Sequence, residues 1–331
     1  MGQNIWKDGI IGLMVGDALG VPVEFSSRED REHDPVIGMR AYGTHNQPVG
    51  TWSDDSSMTL ATLDSIKQKG KIDYKDIMDK FTEWCLYVDY TPFHEVFDIG
   101  VATSRAIIQY RKGTDPIDCG GKTEWDNGNG SLMRILPVCL YLYNRQKMIC
   151  TSENESIYLI HNVSALTHAH LRSQIACGIY YFMVKSVLSR EGDLLAKLQW
   201  GIDAACQYYR SDLNNYKELG YFSRLFDLNA FRQLSKDQIK SSGYVVDTLE
   251  AVTWCLITTT SYKEAVLQAV NLGDDTDTVG AITGSLAGLY YGYNEIPEQW
   301  IKTLQRILHS CVRSVQICQR LPQPMLSDRP S

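Results

Sequence analysis

Two short stretches of the sequence concentrate oxygen donors. One reads Trp52-Ser53-Asp54-Asp55-Ser56, the other Gly273-Asp274-Asp275-Thr276-Asp277-Thr278. Each sets carboxylates beside hydroxyls just ahead of an apolar run of helical spacing. A single Asp there would be explained as a helix cap, satisfying free N–H groups and suiting the helix dipole. Three carboxylates within four residues, with a second group elsewhere, exceed that need, because packed carboxylates repel one another unless protons or cations intervene. Hard oxygen donors with no Cys or His pattern nearby suit Mg2+ or Mn2+ better than zinc. If the two stretches converge in space, they can hold two such cations. Most of the chain lies between them, so convergence is an expectation about the fold.

Two other readings of the second stretch fail. Asp275-Thr276-Asp277-Thr278-Val279 fits the start of a phosphatase motif whose first Asp ends a buried strand, but the residues before it have helical spacing. An EF-hand loop needs Glu at its twelfth position, where this chain has Leu286.

The elements that must position these groups are helices. Apolar residues recur at helical spacing over about 55–69, 76–88, 97–111, 130–144, 154–167, 171–189, 193–209, 245–259, 262–271, 276–291 and 298–318. Strand-like alternation is scarce. Asp247 followed by Glu250 reads as the N-terminal cap of the helix near 245. The irregular stretches 25–53, 112–129 and 210–244 are long enough to be functional loops. The pattern predicts an all-α, compact, single-domain multi-helix bundle over 1–322, followed by a short tail at 323–331.

Composition agrees with an ordinary globular chain of 331 residues, 44 % apolar and 21 % charged. A net charge of −7 without basic runs argues against a general nucleic-acid binder. No stretch is apolar enough to span a bilayer, and the N-terminus lacks the features of a signal peptide or a myristoylation site. Nine scattered cysteines without a CxxC pair predict reduced thiols in a cytoplasmic protein, with Cys139, Cys177 and Cys255 buried in helices.

With these residues in view, the chain resembles the ADP-ribosylglycohydrolases. Seven stretches carry the resemblance in order along the chain: Gly12–Gly20 with Pro22 and Glu24, Ser53-Asp54-Asp55, Asp98-Ile99-Gly100, Gly128–Arg134, Thr167–His170, Gly243–Glu250, and Asp275–Thr278. The resemblance implies an all-α fold with two divalent cations at the bottom of a cleft. It implies Ser53, Asp54 and Asp55 as one set of ligands, and Asp275, Asp277 and Thr278 as the other. Glu24 matches an acidic residue lying over the site, and Asp98 one that takes part in acid–base work. Asn129, Gly130, Ser131 and His168 match contacts to ribose and phosphate. The Gly128–Arg134 segment suits that role physically. Two glycines admit close backbone approach, and a following helix start would present N–H groups to an anion. His170 is left as a packing or capping residue, and Asp274, where Gly is usual, as a solvated cap. Trp125 and the tyrosines of 208–221 could stack on adenine or belong to the core.

The chain departs from the family pattern at Ser53 and Ser56, where Thr is common, and at Val101-Ala102, where a polar pair is more usual. The implied reaction is hydrolysis of the C1″ bond of ADP-ribose on a modified target, with ADP-ribosyl-arginine on protein favoured by the Gly128–Arg134 block. Serine-linked or acetyl-linked ADP-ribose, a non-catalytic ADP-ribose-binding role and a metal-dependent phosphatase are the alternatives. The expected partner is an ADP-ribosylated protein or a small ADP-ribose conjugate.

Overall fold

A helix that runs through the middle of the molecule has no solvent side, and the first helix, α1 (Ile5–Gly20), is of that kind. Fourteen of its sixteen residues are buried, from Trp6 through Gly20 with Lys7 excepted. Its residues follow no apolar stripe because every face is covered, and the sequence spacing did not single it out. The computed structural model describes residues 4–148 and 151–310. The tail at 323–331 and the end of the helix expected over 298–318 lie outside the described residues.

Thirteen further helices lead to the C-terminal helix. They are α2 (Arg28–His33), α3 (Asp54–Lys69), α4 (Tyr74–Tyr87), α5 (Val101–Arg111), α6 (Leu136–Met148), α7 (Glu153–Ala165), α8 (Leu171–Ser189), α9 (Leu194–Tyr209), α10 (Leu213–Leu219), α11 (Leu228–Phe231), α12 (Val245–Thr258), α13 (Tyr262–Val270) and α14 (Thr276–Tyr291). The C-terminal helix is α15 (Glu298–Ser310). No strand is formed among the described residues, only isolated bridges such as Gly128 with Tyr244. The fold is all-α, as the spacing predicts.

The central pair is α1 against α14, running antiparallel with their backbones in contact. A methyl group on Gly16 would sit 2.0 Å from the Gly280 carbonyl oxygen, and one on Gly12 would sit 2.3 Å from that of Gly284. Glycine is required there because no side chain of any size fits between the helices. Two hydroxyls fasten the seam. Tyr262 on α13 donates to the Gly12 carbonyl at 2.8 Å, and Thr276 donates to the Gly20 carbonyl at 2.8 Å. The seam sets the first turn of α14, with its acidic residues, beside the end of α1.

Several boundaries differ from the sequence reading for local reasons. The segment before α5 is irregular: Asp98 adopts a left-handed φ of 52° and Gly100 caps the helix. Near 130 the chain makes a turn, with the Leu132 and Met133 amides both bonded to the Asn129 carbonyl, and α6 begins only at Leu136. Asp247 is not a cap. Tyr244 precedes α12, and Asp247 lies inside the first turn, where it accepts from the Ser242 hydroxyl at 2.7 Å.

Candidate active site

Both acidic stretches sit at helix N-termini, where the dipole favours negative charge. Ser53 is the N-cap of α3, its hydroxyl accepting from the Asp55 amide at 3.3 Å, and Asp54 and Asp55 form the first turn. Asp275 is the N-cap residue of α14 and Asp277 lies in its first turn. The α1–α14 seam and the packing of α3 against α1 bring these two helix starts together. Thr278 donates to Asp55 Oδ2 at 3.2 Å across 223 residues of sequence. The convergence expected from the sequence is present.

In the sequence Asp17 stands out only as part of the Gly12–Gly20 stretch. It is fully buried at the end of α1 and accepts from the Ser53 amide at 2.9 Å, the Ser56 amide at 3.0 Å and the Ser56 hydroxyl at 2.5 Å. It therefore satisfies the open N–H groups of α3 and fixes how that helix enters the site. Its buried carboxyl is raised to about 6 by desolvation, with the donated hydrogen bonds opposing.

Glu24 follows α1 and is buried. The next residues pair with the second acidic stretch: the Phe25 amide donates to the Asp274 carbonyl at 2.7 Å and the Asp274 amide to Ser26 at 2.8 Å. Phe25 and Asp274 both take positive φ, 60° and 66°. The exposed Asp274 side chain stays out of the cluster, in keeping with a solvated position. A carboxylate oxygen from each of Glu24, Asp275 and Asp277 falls within 4.8 Å of the others. So do single ligand atoms of Glu24, His45 and Asp98. Glu24 thus joins both groups. His45, whose ring nitrogen Nε2 is hydrogen-bonded to Glu24, was missed by the sequence reading. Its only signal was its place in the irregular 25–53 stretch.

So many carboxylates in one largely buried space are in electrostatic conflict. Burial, with Asp98, Asp275 and Asp54 adding, pushes Glu24 up to about 10. Burial and the neighbouring carboxylates likewise hold Asp54, Asp55 and Asp277 well above the usual range. Burial raises Asp275 and Asp98 as well, against the Asn129 amide for the first and His45 for the second. Asp55 Oδ1 and Asp277 Oδ2 are buried without a hydrogen-bond partner. Orphaned oxygens on neighbouring carboxylates are the donor set a hard divalent cation accepts.

The Gly128–Arg134 segment forms one wall. Asn129 donates its side-chain amide to Asp275 Oδ2 at 2.7 Å and to Thr248 at 2.9 Å, so it braces an acidic residue. The Gly243 stretch lies between the two: Gly243 accepts from the Asn129 amide, Val245 donates to Asn127, and Asp275 donates to Ser241, each at 3.0 Å. Ser131 differs from expectation. Its side chain turns inward to Ser164 at 2.9 Å and Cys177 at 3.5 Å, leaving only its backbone for a ligand. The expected row of helix N–H groups is absent because α6 starts later. His168 is buried with its ring against Gly128 and Gly130. His170 caps α8, accepting from the Arg172 amide at 3.2 Å. Just before this wall stands Trp125, 96 % exposed, whereas Tyr209 is core.

Residues 6–329 match the sequence pattern of the ADP-ribosylglycohydrolase family. The chain is 31 % identical to ADP-ribosylarginine hydrolase Tri1 of Pseudomonas putida (strain GB-1), over 96 % of this chain and 78 % of the relative. It is 30 % identical to the ADP-ribosyl-dinitrogen-reductase glycohydrolase of Rhodospirillum rubrum, over 89 % of this chain and 88 % of that protein. A solved structure titled ADP-ribosylglycohydrolase-related protein complex superposes with a TM-score of 0.73 at 28 % identity, covering 96 % of this chain and 98 % of the other. By sequence and fold together, the chain belongs to the ADP-ribosylglycohydrolase family and is a hydrolase.

Proposed function

We propose that this protein hydrolyses the C1″ bond joining ADP-ribose to an arginine side chain of a modified protein, using two divalent cations, Mg2+ or Mn2+. The acceptor is argued from the Gly128–Arg134 block and from relatives whose names specify ADP-ribosylarginine or ADP-ribosyl-dinitrogen reductase. One observation carries the chemistry: the contact of Thr278 with Asp55, which joins the two acidic helix starts into one cluster with orphaned oxygens. Ser53, Asp54 and Asp55 would hold one side of the cation pair, and Asp275, Asp277 and Thr278 the other. Bound there, the cations supply Lewis acidity and a template for the ribose hydroxyls.

Glu24 and Asp98 manage protons. Glu24, pushed up to about 10, carries its proton and shares it with Asp98, whose own rise is opposed by His45 and by that hydrogen bond. Glu24 is therefore the proton donor and Asp98 the acceptor. The Gly130 and Ser131 amides, uncommitted within the turn, and His168 contact the ribose and phosphates. Free thiols, mostly buried, support a cytoplasmic setting. Among the described residues no helix is long and apolar enough to cross a membrane.

The test is release of free ADP-ribose from arginine-, serine- and acetyl-linked conjugates in Mg2+ and in Mn2+. Chelation should abolish turnover. Asp55→Asn and Asp277→Asn should each weaken calorimetric cation binding and lower kcat by about 100-fold or more. Unchanged turnover in both variants overturns the assignment, and preference for a serine or acetyl conjugate overturns the acceptor.

A further inference from the structure

The largest polar side chain sealed inside the molecule is Arg134. It is wholly buried, and among the described residues no carboxylate is paired with it. Its Nη2 donates to the Val163 carbonyl at 3.2 Å and to Thr167 Oγ1 at 2.7 Å, while Nε and Nη1 have no hydrogen-bond partner. The guanidinium carbon lies 4.7 Å from the centre of the Phe81 ring. Burying an unpaired cation is costly, and packing alone would be served better by an apolar side chain.

What the cation does is visible one bond further on. Thr167 Oγ1 is 2.8 Å from His168 Nδ1. A hydroxyl carries one proton. Arg134 can only donate, so it occupies a lone pair of Oγ1, and among the described residues Nδ1 is the one acceptor left for the Thr167 proton. Nδ1 is thereby an acceptor, which puts the imidazole proton on Nε2. The backbone of His168 is held on both sides, its amide donating to Ser164 at 2.8 Å and its carbonyl accepting from the Ser164 hydroxyl at 2.9 Å. The Nε2 edge faces the glycine loop: a methyl group on Gly128 would lie 3.2 Å from Nε2.

We propose that Arg134 and Thr167 are positioning residues that lock His168 as the neutral Nε2–H tautomer, so that one fixed donor serves an oxygen of ADP-ribose seated on the Gly128–Ser131 loop. This rests on the reading of that loop as the ADP-ribose wall. Burial, with Arg134 adding, keeps His168 down at about 3, so the ring stays neutral. An arginine suits the first position because it remains charged even when buried, here lowered only to about 10.

The test is 15N spectroscopy of histidine-labelled, Mg2+-loaded protein, with the His168 signals assigned by their loss in His168→Asn. Wild type should show Nε2 protonated and Nδ1 a hydrogen-bonded acceptor. Thr167→Val should admit the Nδ1–H form and lower kcat/KM roughly tenfold or more, while Thr167→Ser, which returns the hydroxyl, recovers the tautomer and most of that loss. A proton on Nδ1 in wild type overturns the relay. So does a Thr167→Val variant that keeps the wild-type tautomer, whether or not its rate falls, or one that changes tautomer with no change in kcat/KM. Failure of the underlying reading looks different: wild type would release no ADP-ribose and its Nε2 signal would not move on adding ADP-ribose, and the donor role falls with it.

Discussion

Asp55 Oδ1 and Asp277 Oδ2 face the same cluster with no donor to meet them, so each negative charge is felt most when no cation is bound. Removing one charge there has opposite consequences in the two states. Asp277→Asn should raise the melting temperature of the chelated protein and lower the gain on adding Mg2+, both read by calorimetry or dye-based melting. A lower melting temperature in both states would mean that Asp277 is held by structure and not by a cation. These ligand candidates were legible in the sequence because they are local: oxygen donors crowded into four or five residues. His45 and Asp17 were not. A lone His, and an Asp within an apolar run, acquire their roles only from Glu24 and from the start of α3, partners set by tertiary contact. Ser131 was legible within its motif but not in its direction, since a one-residue difference in the turn decides which way a side chain points.

At the level of elements, most helices announced themselves by apolar spacing, the largely buried α8 and α14 included, and their observed limits lie close to it. For α8 the agreement is complete at 171–189, because the cap His170 and the helix end are both local signals. The segment before α5 is bent by a left-handed Asp98, and the start of α6 is delayed by a turn closed on the Asn129 carbonyl, neither of which periodicity records. The seam between α1 and α14 gives the sharpest prediction at this scale. Gly16→Ala places a carbon at 2.0 Å from a carbonyl oxygen and must push the two helix backbones apart, which should cost about 3 kcal/mol or more in urea denaturation. Gly70→Ala puts its methyl group in open space at a φ of 65°, so it should cost only about 1 kcal/mol. Equal losses would show that the seam can relax.

Across the whole molecule, the buried acids make stability depend on pH in a direction opposite to that of ordinary surface carboxylates. Asp17 rises from 3.8 to about 6 and Glu24 from 4.5 to about 10 on folding. A folded state that holds protons more tightly than the unfolded chain loses stability as pH climbs through that interval. The chelated protein should therefore melt at steadily lower temperature from pH 5 toward 9, whereas added Mg2+ should protect more strongly at the alkaline end, where protons no longer compete for the ligands. A chelated melting temperature that rises over this interval would contradict the placement of these acids. The bare contact of α1 with α14 carries a genetic consequence as well. Crowding in a protein core can often be relieved by trimming the residue opposite, but opposite Gly12 and Gly16 there is already only hydrogen to trim. Selection for restored function after Gly16→Ala should therefore return true revertants at that codon, and no suppressor from Gly280 or its neighbours.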